Sequence, residues 1–180
     1  MFPISVRHAM LLCGVFAAAA TMSGDVLDAA DNGFTVSNTV MVSAPPDKAY
    51  AAMVQDVGKW WDSAHTFSQN AANLSIDAKP QGCWCEKLPG QGGVRHLTVV
   101  YVLPGKAIGF EGGLGPLQTM GAAGSMTWKF QPAENGTKVE IRYSVGGYKP
   151  GGFKDLAPIV DSMLRGQLER YKRYSDTGKP

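Results

Sequence analysis

The chain has 180 residues, 44% of them hydrophobic and 18% charged, which is long enough for one well-buried core and lacks the charge excess of a disordered protein. Its 17 basic and 15 acidic residues leave a formal charge of +2. No basic block or acidic tail stands out, so electrostatics give no case for nucleic-acid binding, and a neutral or modestly charged small molecule is the better-fitting partner.

At the start, Arg7 and His8 precede an apolar run, Ala9 to Phe16, which passes into Ala17-Ala18-Ala19-Ala20. This is the pattern of a cleaved secretory signal peptide, here assigned to residues 1–22. The run is short of the roughly 20 apolar residues that span a bilayer. A periplasmic or secreted protein without stable membrane insertion after cleavage is therefore expected. Residues 23–32 are short, polar and acidic and read as a linker, with the folded domain over 33–176.

Within that domain, Thr35 to Val42 alternates as a strand, with Val36, Val40 and Val42 on one face and Asn38 interrupting it. Pro45 and Pro46 break the ladder and suit a helix start. Asp47 to Val54 then reads as a short helix, and Val57 to Trp61 as a second turn of helix against it. Six further strands follow, over Leu74 to Asp77, Cys83 to Leu88, Val94 to Leu103, Ala107 to Glu111, Ser125 to Gln131 and Thr137 to Tyr148. Short Gly- and Pro-containing turns separate most of them, which implies an antiparallel meander. The Gly-rich stretch from Gly112 to Gly124 lacks the ending of a phosphate-binding loop and reads as a mobile loop at a pocket mouth. Asp155 to Tyr174 closes the chain as an amphipathic helix with Leu156, Ile159, Val160, Met163, Leu164, Leu168 and Tyr171 in its apolar stripe, which must pack on the sheet.

The opening Val36 to Asp62, the segment Gly82-Cys83-Trp84-Cys85-Glu86, the run Val99 to Lys106, the pair Gly136-Thr137 and the terminal helix together resemble the START-like helix-grip (SRPBCC) superfamily. That group includes polyketide cyclases, lipid-transfer domains and heat-shock ATPase activators. The resemblance implies an α+β helix-grip fold: a curved antiparallel sheet of about seven strands wrapped around a long C-terminal helix, with two short helices after the first strand. It also implies an apolar cavity between sheet and helix. None of the motifs is a catalytic signature.

Cys83 and Cys85 are two apart on one strand. Ideal strand geometry holds such side chains roughly 6.5 to 7 Å apart, so free thiols are expected over a bridge. A metal site would need further ligands, with only His65 and His96 on offer; neither a metal nor another cofactor is expected. Pairing Leu88 with Val94 across the Pro89 to Gly93 turn sets Glu86 opposite His96, the best acid-base candidates in the chain. The face carrying Leu97, Val99 and Tyr101 looks more apolar, which favours an exposed Glu86–His96 pair; a slip of one residue would reverse this. Candidate ligand-binding residues are Trp61, Tyr101, Phe110, Trp128, Tyr143 and Met163. Trp60 and Trp61 are expected to split, one under the sheet and one at the mouth. Three readings follow: an exported protein binding a hydrophobic or amphipathic small molecule, a cyclase- or aromatase-like enzyme using the same cavity, and a protein-interaction module.

Overall fold

The structure, a computed structural model, describes residues 23–180. The apolar run and cleavage site read as a signal peptide lie outside the described residues. Strands β1 (Ser23–Ala30) and β2 (Gly33–Val42) form an N-terminal hairpin, followed by helices α1 (Pro46–Gln55) and α2 (Val57–Trp60). Six strands then run in order: β3 (Leu74–Ile76), β4 (Cys83–Lys87), β5 (Gly93–Leu103), β6 (Ala107–Glu111), β7 (Ala122–Ala133) and β8 (Gly136–Gly147). Helix α3 (Ala157–Thr177) closes the chain. All strands join one antiparallel sheet in the order β1-β2-β8-β7-β6-β5-β4-β3, so the fold is the expected α+β helix-grip.

The sheet has eight strands rather than about seven. The additional one is β1, from the segment expected to be a linker; its polar, acidic sequence suits an edge strand whose outer side meets water. Elsewhere the alternation in the sequence decides which face is inward. Strand β2 buries every second residue from Phe34 to Val42, and β7 and β8 do the same with Met126, Trp128 and Phe130 and with Val139, Ile141, Tyr143 and Val145. Asn38 keeps to the inward face of β2. Its amide donates to Asp161 Oδ1 on α3 at 2.9 Å, and Asp161 also accepts from Arg165, so the polar interruption becomes a tie between sheet and helix.

One end of the sheet–helix interface is filled with aromatic rings. Trp60, Trp128 and Tyr171 meet pairwise with centroids 5.4 to 5.8 Å apart, and Tyr50 packs edge-on to Phe130. The Tyr171 hydroxyl donates to the Ala49 carbonyl and the Arg170 guanidinium to that of Trp60. The C-terminal half of α3 is thus seated directly on the sheet and the two short helices.

Strand β5 carries two bulges that the alternation rule does not foresee. Its hairpin with β4 turns through Gly90 and Gln91, both at positive φ as in a type I′ turn, so Lys87 faces Gly93 and Glu86 faces Val94. The pairing then slips between Cys85↔Arg95 and Trp84↔Leu97, leaving His96 as the additional residue; His96 and Leu97 are consecutive and both buried. A second slip lies between Val99 and Tyr101 and leaves Val100 and Tyr101 both on the outer face. The expected pairing of Glu86 with His96 and the expected exposure of both are therefore corrected: the two strands turn Trp84, Glu86, His96, Leu97 and Val99 inward together.

The expectation of free thiols is also corrected, since Cys83 and Cys85 form a disulfide. They share the outer face of β4, and their Cα atoms are 5.4 Å apart, closer than in an ideal strand, at the place where the β4–β5 ladder slips. A Cα separation of 5.4 Å is within the range a bridge needs, so the objection drawn from an ideal strand does not apply. Alkylating the denatured protein without reductant should leave both cysteines unlabelled and label both after reduction; labelling before reduction would show the thiols free.

Candidate functional site

Towards the N-terminal half of α3 the sheet and helix part and enclose a cavity of about 470 Å³. Its wall has four parts. The segment after α2 contributes Trp61, Ala64, His65, Thr66 and Phe67; β3, β4 and β5 contribute Leu74, Trp84 and His96; the Gly-rich segment contributes Leu114 to Leu117 and Met120; and β8, the turn before α3 and α3 itself contribute Tyr143, Leu156, Ile159, Val160 and Met163. Among the described residues, no Asp, Glu, Lys or Arg lines it. A volume of this size lies in the range that holds a small organic molecule.

Of the residues named from sequence, Trp61, Tyr143 and Met163 reach this wall and Tyr101, Phe110 and Trp128 do not. Tyr101 is turned to the outer face by the second β5 bulge, and its ring lies across Gly109, where any side chain would overlap it. Phe110 is fully buried against Trp84, and Trp128 is locked in the aromatic cluster under α3; both are core. Trp60 and Trp61 do split, yet neither is exposed: Trp60 sits in that cluster, while Trp61 packs edge-on to Trp84 at 5.0 Å and donates its indole N–H to the His65 carbonyl. Ile159, expected in the packed stripe of α3, is 63% exposed and stands at the rim.

The Gly-rich segment, read from the sequence as a mobile loop at a pocket mouth, contributes Leu114 to Leu117 and Met120 to the wall. A short 3-10 helix, Gly115–Met120, forms within it. The Tyr143 hydroxyl clasps its start, donating to the Gly112 carbonyl at 2.9 Å and accepting from the Leu114 amide at 2.8 Å. Burial pushes this phenol up to about 12, so it does not ionise near neutral pH, and its one O–H is already committed to Gly112. Its role is to hold the wall.

Glu86 and His96 form the polar centre of the site. Both are buried, with Glu86 Oε2 and His96 Nε2 2.9 Å apart. The carboxylate also accepts the backbone amides of Phe67 and Ser68 and so fixes the loop that carries the cavity wall from Ala64 to Phe67. Burial alone would raise the Glu86 carboxyl, but the hydrogen bonds from Ser68, Phe67 and His96 outweigh it and hold the group below the usual carboxylate range. Burial holds His96 below its ordinary value although Glu86 draws it upward. The resulting arrangement is an ionised carboxylate and a neutral imidazole whose Nε2–H donates to it. Nδ1 is then a bare acceptor, and it is buried without a partner. An unmet buried acceptor costs about 1–3 kcal/mol.

Trp84 and Phe67 were not among the ligand candidates. The alternation of Trp84 with Glu86 was visible in the sequence, but which face was inward depended on the bulge. Phe67 lies in an irregular segment with no periodicity to orient it. Among the described residues, no group of three or more His, Cys, Asp or Glu is placed to hold a metal ion.

Residues 33–176 match the family described as polyketide cyclase/dehydrase and lipid transport. The chain belongs to that family. This agrees with the START-like resemblance of its motifs. Among solved structures, a protein from Rhizobium leguminosarum superposes with a TM-score of 0.59 at 17% identity, covering 86% of this chain and 97% of its own. DynU16, from the dynemicin biosynthetic locus, gives 0.57 at 19% identity, covering 81% of this chain and 48% of its own. The di-domain ARO/CYC StfQ, from the steffimycin biosynthetic pathway, gives 0.55 at 18% identity, covering 81% and 51%. This chain thus matches about half the length of DynU16 and of StfQ, and at these identities the likeness shows the fold alone. No curated protein matches the chain.

The direction of both titrations fixes a pH dependence. Glu86 and His96 each bind their proton less tightly folded than unfolded, so between the two values the unfolded chain holds more protons and stability rises with pH. Lowering the pH should therefore destabilise the protein first as it passes below the ordinary imidazole range, and again below the ordinary carboxylate range. Thermal melts between about pH 7 and about pH 5 should show the first loss in the wild type. The loss should be largely absent in His96→Gln, which keeps a donor for Glu86 but does not titrate. An equal loss in both proteins would assign it elsewhere.

Proposed function

We propose that this chain is an exported protein that holds a neutral hydrophobic or amphipathic small molecule in the cavity between the sheet and the N-terminal half of α3. The observation that carries this reading is the wall itself: about 470 Å³ of open space bounded by aromatic and aliphatic side chains with no charged group. Membership of the polyketide cyclase/dehydrase and lipid transport family supports a small hydrophobic ligand. A protein-interaction module of this fold would have no need to leave the interior unfilled. Export rests on the N-terminal sequence pattern, and the intact mass of the protein from its own host would show whether the chain begins shortly after Ala20.

The neutral solvatochromic dye Nile red tests the cavity. It should bind the wild type with a blue-shifted emission. Met163→Trp, which fills space on the α3 side without burying a charge, should weaken binding at least about tenfold, with the fold intact by circular dichroism. Unchanged affinity in that variant would place the dye, and with it the reading, outside the cavity.

The buried Glu86–His96 pair favours one second reading, a cyclase- or aromatase-like enzyme in which His96 takes a proton from a bound substrate and Glu86 steadies the imidazolium that results. Native mass spectrometry of protein from its own host should find a bound molecule that the wild type returns unchanged on incubation. If the wild type converts it and His96→Gln binds it without conversion, the enzyme reading replaces the binding one.

A further inference from the structure

Resting on the cavity as the binding site, we infer that the neutral His96 imidazole is the polar recognition point of the cavity, its Nδ1 accepting a hydrogen bond from a hydroxyl group on an otherwise apolar, uncharged ligand. The Nε2 side of the ring is committed to Glu86 at 2.9 Å, which fixes the tautomer and leaves Nδ1 with a lone pair and no proton. That nitrogen is buried without a partner while its ring lines the cavity. The other buried or half-buried polar side chains on the wall are engaged within the protein: the Tyr143 hydroxyl with Gly112 and Leu114, the Thr66 hydroxyl with the Ser63 carbonyl, and the Trp61 indole with the His65 carbonyl. The His65 imidazole is exposed to solvent at the rim.

The surroundings narrow the ligand class. A carboxylate or phosphate would bring a second lone pair to Nδ1 and find no lysine or arginine on the wall. An ammonium group would lose its water with no free anion to face, since the Glu86 oxygens already take His96, Phe67 and Ser68. A neutral hydroxyl donor meets neither obstacle. Phe67, whose ring centroid is 5.8 Å from that of His96, and Trp84, also on the wall, present aromatic surfaces to the body of such a ligand.

Two probes with the same ring system test this, 2-naphthol and 2-methoxynaphthalene, in which a methyl ether replaces the donor, with displacement of Nile red as the readout. The wild type should bind 2-naphthol about tenfold more tightly than the ether, and His96→Leu should bind the two alike. Because that variant leaves Glu86 short of a donor and could fail to fold, imidazole nitrogen NMR of the wild type provides an independent measure. The His96 Nδ1 resonance should move upfield, as an acceptor nitrogen does on gaining a hydrogen bond, with 2-naphthol and stay in place with the ether. Equal affinities with an unmoved Nδ1 resonance would overturn this assignment and leave the cavity reading intact. Failure of both probes to displace the dye would overturn the assignment together with the cavity reading on which it rests.

Discussion

An ionised carboxylate taken out of water costs several kcal/mol unless its oxygens are fully engaged, and Glu86 meets that condition by drawing three separate parts of the chain to one point. Its own strand β4 supplies the side chain, β5 brings His96 to it, and the loop between the short helices and the sheet offers the amides of Phe67 and Ser68. The loop has no regular ladder of its own between Thr66 and Asn70, so the carboxylate takes the place of a missing strand partner. With Glu86 removed, those two amides and the His96 N–H would lose their common acceptor. The wall from Ala64 to Phe67 would then lose its tie to the sheet, leaving it held by the Trp61–His65 bond and by the Asp62 amide on Gln167 of α3.

Why the open space lies where it does follows from a division of labour along α3. Its C-terminal half meets Trp60 and Trp128 through Tyr171, and large rings fill the gap between helix and curved sheet. Its N-terminal half carries Ile159, Val160 and Met163, side chains too small to reach across to Tyr143 and Trp84. The Gly-rich segment approaches from the β7 side but is held back by the Tyr143 clasp. A wedge-shaped interface packed at the wide-residue end therefore leaves a cavity at the other.

The parts of this arrangement that were legible in the sequence are those governed by a strict period. Alternation along β2, β7 and β8 named the inward residues correctly, and the double proline at 45 and 46 marked the change from strand to helix. The stripe on α3 was right in its inner turns and wrong at Ile159, where the helix overhangs the cavity rim and no sheet lies beneath it. The bulges were not legible, because an additional residue in one strand is defined only by its partner. Both β5 bulges reverse the alternation, which is why Tyr101 was placed inside and Glu86 and His96 outside. Cys83 and Cys85 lie within bonding distance because β4 departs from the ideal strand there, with 5.4 Å between their Cα atoms, which the rule for an ideal strand does not foresee. The edge strand β1 was missed for a different reason: an outer strand buries little, so its sequence carries almost no apolar signal.

What Glu86 needs from its neighbour is a single donor, and this separates the structural role of position 96 from any other. An amide or hydroxyl side chain at that position could in principle donate to the carboxylate as His96 Nε2 does. An imidazole adds a second nitrogen that the fold does not use: Nδ1 is buried, unpartnered and destabilising for the empty protein. Elsewhere the buried polar groups of the wall are satisfied, as in the two-way bonding of the Tyr143 hydroxyl and the indole of Trp61. Against that pattern, an open acceptor beside an uncharged cavity adds nothing to folding. Its energetic return comes only when something in the cavity supplies a hydrogen, and that places position 96 in the ligand's chemistry as well as in the protein's packing.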